Sequence, residues 1–242
     1  MRIDRIETDR RSLMVAAGVA AATAAVASTP AVAAADAPTK TNLTPSQALA
    51  RLMEANRRFV TDRRNPAAIG TAERLRLAKG QAPFAALVGC ADSRVGPEHL
   101  FGAGLGELFI VRTAGNYVDD AGYGSLAYAV AALGVPLIVV LGHSRCGAVA
   151  AATELVTDNK QLPPALSRMV QPMLPAVVEA RSSVKGDDLV DHAVHINVRH
   201  VVRQLRETKE PLIGNPLEQG QLMIVGAYYD LDTGAVDFFD RG

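Results

Sequence analysis

The sequence predicts an α/β protein with a central, mostly parallel β-sheet flanked by helices, and three observations carry that expectation. Phe84 to Gly89, Leu108 to Val111 and Pro136 to Leu141 are short, β-branched apolar runs, which suits strands buried on both faces. A helix-like stretch from Gly124 to Leu133 lies between the second run and the third, which makes a βαβ unit and hence parallel pairing. A fourth run, Gln221 to Asp230, turns at Asp232-Thr233-Gly234 into Ala235 to Phe239, as a C-terminal antiparallel hairpin would.

The remaining elements follow in chain order. Arg10-Arg11 stands directly before an uncharged run from Ser12 to Ala35, rich in Ala and Val, with small residues at Ala31-Val32-Ala33. That is the pattern of a secretory signal of the twin-arginine type, and residues 1–35 are expected to be removed on export to the periplasm or beyond. The run is long enough to span a bilayer, but Leu13 is its one leucine and Pro30 interrupts its end, so no stable membrane insertion is expected after cleavage. A polar linker, 36–42, opens a single domain, 36–242. Thr44-Pro45-Ser46-Gln47 combines a cap, a proline at the first helical position and a capping-box glutamine. It opens an amphipathic helix, Pro45 to Thr61, with Leu49, Leu52, Met53, Phe59 and Val60 on its apolar stripe. Arg51, Arg57, Arg58, Arg63 and Arg64 read as its solvated face. Pro164 to Ser182 and Asp187 to Glu207 are expected to be helical.

Composition narrows the function. The chain has 242 residues, 49% of them hydrophobic, enough for a sizeable core and too apolar for a disordered polymer. Its 25 basic residues balance 25 acidic ones, so nothing in its net charge draws it to nucleic acid or anionic lipid, and a small partner is expected. Two cysteines are too few for a disulfide scaffold; they are one bridge, two bystanders, or two metal or redox ligands.

Their neighbours favour a metal. The first strand runs into Gly89-Cys90-Ala91-Asp92-Ser93-Arg94 and the third into Gly142-His143-Ser144-Arg145-Cys146-Gly147. Ligands of open parallel sheets gather at the carboxyl ends of strands, so both cysteines arrive at one rim. His143 and Cys146 can grip one ion from a single turn, and Cys90-x-Asp92 offers a thiolate and a carboxylate from the next. Such a set suits tetrahedral zinc, with Zn–S about 2.3 Å and Zn–N about 2.0 Å.

With Pro97-Glu98, with Gly106-Glu107-Leu108-Phe109-x-Val111-Arg112-x-Ala114-Gly115-Asn116, and with Gly142-His143-Ser144-x-Cys146-Gly147, the segment Cys90-Ala91-Asp92-Ser93-Arg94-Val95 resembles the β-class carbonic anhydrases. The similarity runs in element order from Leu43 to Phe239 and is densest from Phe84 to Thr153. It implies that family's fold, with an N-terminal helical arm, and an enzyme that hydrates CO2 to bicarbonate and a proton through a zinc-bound hydroxide. One zinc per subunit would be held by Cys90, His143 and Cys146. Asp92 matches the residue that either takes the fourth zinc position or swings away to pair with an arginine, here Arg94. The resemblance also implies a homodimer or a higher even-numbered oligomer, with the N-terminal helix reaching across to the other subunit. Hydrolysis of carbonyl sulfide or carbon disulfide, or zinc binding without catalysis, are the alternative functions.

Two positions depart from the resembled pattern. Ala103 stands where many relatives place a glutamine that orients bicarbonate, and Leu87, in a chain without tryptophan, stands where some place the tryptophan of a regulatory bicarbonate pocket. Arg112 and Tyr228 match other members of that pocket. His192, His195 and His200 lack the i, i+4 spacing of a helical metal pair and read as structural or surface residues. His99 reads as capping or packing, with proton transfer as its other role, and Tyr228-Tyr229 as strand packing.

Overall fold

A computed structural model of the chain describes residues 40–63, 67, 69–184 and 186–242. The expected leader, 1–35, lies outside them. Five strands form one sheet in the order β2-β1-β3-β4-β5: β1 is Ala85–Cys90, β2 Leu108–Thr113, β3 Leu137–His143, β4 Met223–Tyr229 and β5 Val236–Asp240. The first four run parallel and β5 returns antiparallel, with a register shift between Gly226 and Tyr228. The fold class is as the sequence predicts. The crossover from β2 to β3 passes over β1 instead of joining neighbours, so the two cysteine-bearing segments leave adjacent strands.

Every residue of β1 and β3 is buried, which explains why these strands show unbroken apolar runs and no alternation. Alternate side chains serve opposite faces. Ala86, Val88, Ile138 and Val140 meet α4 (Asp120–Ala131), α8 (Leu189–Arg206) and α9 (Pro211–Glu218) through Leu126, Val130, Val198, Val202 and Ile213. Ala85, Leu87, Leu137 and Val139 meet Ala48, Leu49 and Leu52 of α1 (Pro45–Val60). No helix of the described residues is long and apolar enough to cross a membrane.

Helix α1 starts where expected. Gln47 N–H donates to Thr44 Oγ1 at 3.3 Å and Thr44 N–H to Gln47 Oε1 at 2.9 Å, a capping box worth about 1 kcal/mol. Helix α1 then packs within its own chain. Its apolar stripe covers its own sheet, and Asn56 is bonded to both Gly234 O and Val236 N–H of the β4–β5 hairpin.

Other boundaries moved for identifiable reasons. Helix α4 begins four residues before the expected Gly124, because Asp119 Oδ1 accepts from Gly122 N–H at 2.8 Å and caps an earlier turn. The expected helix Pro164 to Ser182 is divided into α6 (Pro164–Val170), a 3-10 turn (Gln171–Met173) and α7 (Leu174–Ser183). Pro172 and Pro175 lack the N–H groups a continuous helix needs. Four helices lie outside the sequence expectation: α2 (Thr71–Leu77), α3 (Pro97–Leu100), α5 (Gly147–Asp158) and α9. The first two are too short for periodicity, α5 is alanine-rich with little polar contrast, and α9 carries Gly214 and Pro216.

Candidate metal centre

The paired register of β1 and β3 ends at Gly89 opposite Leu141, so Cys90 lies one residue beyond it and His143 two. Cys146 follows as the residue that caps α5. Their donor atoms, two Sγ and an imidazole nitrogen, lie within 4.8 Å of one another, and the two Sγ are 3.9 Å apart. All three residues are buried: Cys90 is 3% exposed, His143 and Cys146 0%. Of the alternatives the sequence left for the two cysteines, a bridge is not the one found: both are free thiols.

Two glycines permit this approach. A Cβ on Gly142 would sit 2.6 Å from Val194 Cγ1 and 2.7 Å from Val198 Cγ2, so only glycine lets α8 lie against the end of β3. Gly115 has φ 83°, a Cβ on it would overlap Met173, and its N–H donates to Cys90 Sγ at 3.3 Å.

The donor set fits a metal ion. His143 Nδ1–H donates to Ser144 O at 3.0 Å, which leaves the Nε2 lone pair free; Nε2 is buried and has no hydrogen-bond partner. A buried unsatisfied nitrogen costs about 1–3 kcal/mol unless something fills the position, and a cation beside two sulfurs does so. Hydrogen bonding from Cys146, helped by the N–H groups of Gly115 and Asp92, lowers the Cys90 thiol strongly, against the effect of burial. Cys146, which shares that proton, is pushed up by Cys90 and by burial.

Asp92 stands apart from the three donors. Arg94 Nε donates to its Oδ1 at 2.9 Å and Nη2 to its Oδ2 at 2.7 Å, and Arg94 N–H also reaches Oδ1 at 2.9 Å. Asp92 Oδ2 is 4.0 Å from His143 Nε2. Of the two expected positions for Asp92, paired with Arg94 or bound as a fourth ligand, the structure holds the first. The Arg94 guanidinium holds the Asp92 carboxyl well below the usual carboxylate range.

Several supporting residues had no assigned part in this centre at the level of sequence. Arg112 Nε donates to Cys90 O at 2.8 Å and Nη2 to Asp92 O at 2.7 Å, clamping the turn that carries both residues. Its signal was a lone charge closing an apolar strand. Asn197, a single buried amide on the apolar face of α8, donates to Gly115 O at 2.9 Å. Ala103 is buried beside a cavity of about 810 Å³ that His99, Glu98 and Leu105 also line. Leu87 lies in the core under α1. His192 bonds Ser183, His200 bonds Glu179, and His195 stacks on Tyr228 with ring centroids 4.1 Å apart. None of these three belongs to the metal-type cluster found among the described residues.

Comparisons with known proteins agree with this geometry. The profile of the family described as carbonic anhydrase matches residues 85–236. Carbonic anhydrase 2 of Mycobacterium tuberculosis is 41% identical over 196 residues, covering 80% of this chain and 92% of its own. The carbonic anhydrase of Mycolicibacterium smegmatis is 40% identical over 199 residues, covering 81% and 94%. Among solved structures, the β-carbonic anhydrase CcaA superposes with a TM-score of 0.63 at 27% identity, over 79% of this chain and 95% of that one. One of two tetrameric β-carbonic anhydrases from Sordaria macrospora gives 0.62 at 27% identity, over 69% and 85%.

Proposed function

From the premise that this chain belongs to the β-class carbonic anhydrase family and is a carbonic anhydrase, we propose that Cys90, His143 and Cys146 hold one zinc ion per chain. The observation that carries the ligand set is the buried, partnerless His143 Nε2 beside two sulfurs. Bound there, zinc supplies a Lewis acid that acidifies water near neutral pH. Asp92, kept ionised and turned aside by Arg94, would stay off the metal as a fourth ligand and offer an acceptor to the water that attacks the carbon of CO2. Arg94 thus acts through Asp92. Arg112 keeps the Cys90–Asp92 turn from shifting as substrate enters. Elemental analysis tests the ligand set: Cys90→Ser, His143→Ala and Cys146→Ser are each expected to lose zinc, and full occupancy in all three contradicts it.

The working form in this reading is a homodimer or a higher even-numbered oligomer of chains 36–242. Strand β2 is a sheet edge with Leu108, Phe109, Ile110 and Val111 half-buried, and it carries neither proline nor lysine to deter pairing. Tyr128 of α4, 52% exposed, and Leu105, 47% exposed, widen the apolar surface. The tetrameric state of the Sordaria relative supports an even-numbered assembly. A monodisperse monomer by light scattering would contradict it. The Arg10-Arg11 leader supports export by a twin-arginine route, with removal of residues 1–35.

A further inference from the structure

The turn between His143 and Cys146 is held from outside the cluster. Arg145 has φ 53°, a left-handed backbone that any residue with a Cβ adopts at a cost. Three contacts surround it. Its N–H donates to Asp191 Oδ1 at 3.0 Å, its carbonyl accepts from Arg94 Nη2 at 3.3 Å, and its own Nη2 donates to Asp232 Oδ1 at 2.8 Å. The Arg145 and Asp232 side chains are 56% and 71% exposed, so water screens that pair. The backbone bond to the half-buried Asp191 is the contact placed to fix the turn.

The position of Asp191 is itself fixed. It lies one helical turn before Val194 on α8, and Val194 and Val198 are the side chains that rest on Gly142, directly before His143. The close approach that only glycine allows therefore aims the carboxylate at the turn leaving β3. Tyr228 belongs to the same layer, its phenol raised by burial and by the facing Asp191 carboxylate.

Given the metal ligands proposed above, we propose that Asp191 is a positioning residue of the metal centre. By holding the Arg145 backbone left-handed it sets the spacing of His143 and Cys146, and it presents the carbonyl on which Arg94 rests while holding Asp92. Asp191 also stands in the first turn of α8, where any carboxylate favours the helix dipole. A purely helical role changes stability and leaves metal retention alone, so the two roles separate by measurement.

The test is zinc affinity by competition with a chromophoric chelator, with the melting temperature of the metal-free protein recorded alongside. Asp191→Ala is expected to weaken zinc binding about tenfold or more, the scale of outer-layer substitutions at metal sites. Asp191→Asn keeps an acceptor for the Arg145 N–H and is expected to stay within about threefold of wild type. Adding Arg145→Gly to Asp191→Ala is expected to restore most of the loss, because glycine takes the left-handed conformation unaided. A lowered melting temperature with unchanged affinity in Asp191→Ala overturns the proposal, and so does a double variant as weak as the single one. Should Asp191→Ala not fold, weak binding by Asp191→Asn that Arg145→Gly does not repair overturns it equally. A wild-type protein that retains no zinc refutes the ligand set instead.

Discussion

Arg94 meets Asp92 side on, with Nε to Oδ1 at 2.9 Å and Nη2 to Oδ2 at 2.7 Å, while the same Nη2 reaches Arg145 O at 3.3 Å. One guanidinium therefore ties the turn after β1 to the turn after β3; Cys90 stands directly before the first of these turns and Cys146 in the second. A planar fork can do this because its donors are fixed relative to one another.

Arg94→Lys tests that geometry. An ammonium group reaches one carboxylate oxygen as a point charge and cannot hold both oxygens and the carbonyl together. Losing a charge-assisted hydrogen bond costs about 1.5–3 kcal/mol, so kcat/KM for CO2 is expected to fall about 10- to 100-fold with zinc retained. Stopped-flow hydration assays beside metal analysis check both halves, and wild-type activity would show that the fork is dispensable.

Gly142→Ala should destabilise the fold by about 1–3 kcal/mol, as overpacking does, because the new methyl meets Val194 and Val198 at 2.6 and 2.7 Å. Trimming Val194 to alanine in the same chain should recover part of the loss. Urea unfolding of the two variants measures it; a neutral Gly142→Ala contradicts the packing account.

The strands were legible in the sequence because β1 and β3 are buried on both faces and therefore read as unbroken apolar runs. The cluster was legible because its residues sit at two strand ends and within one turn. Asp191 was not, because its partner Arg145 lies 46 residues away and nothing local to Asp191 signals the contact. Arg112 was legible as part of the resembled motif, but its grip on the Cys90 and Asp92 carbonyls depends on β2 lying beside β1, which sequence order alone does not give. The sheet surface that α1 covers was not legible, because an apolar stripe specifies that a helix is buried and says nothing about which surface covers it.

Alkaline pH should expose the burial of Tyr228. Burial first, and then Asp191, raise its phenol above the ordinary value of 10.0, so the unfolded chain ionises before the folded one. The stability this provides is intact below about pH 10 and is lost as pH rises from there through the folded value. Tyr228→Phe should flatten that part of the alkaline limb, measured by unfolding at steps from pH 8 to 11. Parallel curves for the two proteins would count against it.

The proposed leader and the cysteines make a joint prediction. With Sγ atoms 3.9 Å apart, a zinc-free site entering an oxidising compartment can close as a disulfide, two thiols giving two protons and two electrons to the thiol oxidants there. Zinc bound as proposed would hold both sulfurs as ligands, and a twin-arginine route would carry the protein across already folded. Replacing residues 1–35 with a signal for unfolded export should yield protein with less zinc and more Cys90–Cys146 disulfide. Equal zinc and equal free thiol by either route would end the idea.

The most direct measurement titrates zinc into metal-free protein while following CO2 hydration by stopped flow, with Cys90→Ser, His143→Ala and Cys146→Ser as parallel samples. The wild-type rate should rise linearly, stop rising at one zinc per chain and stand well above buffer, while the three variants stay at the buffer rate. A wild-type rate that never exceeds buffer, or variants that rise with zinc as the wild type does, would contradict the assignment of Cys90, His143 and Cys146 as the metal site of this enzyme.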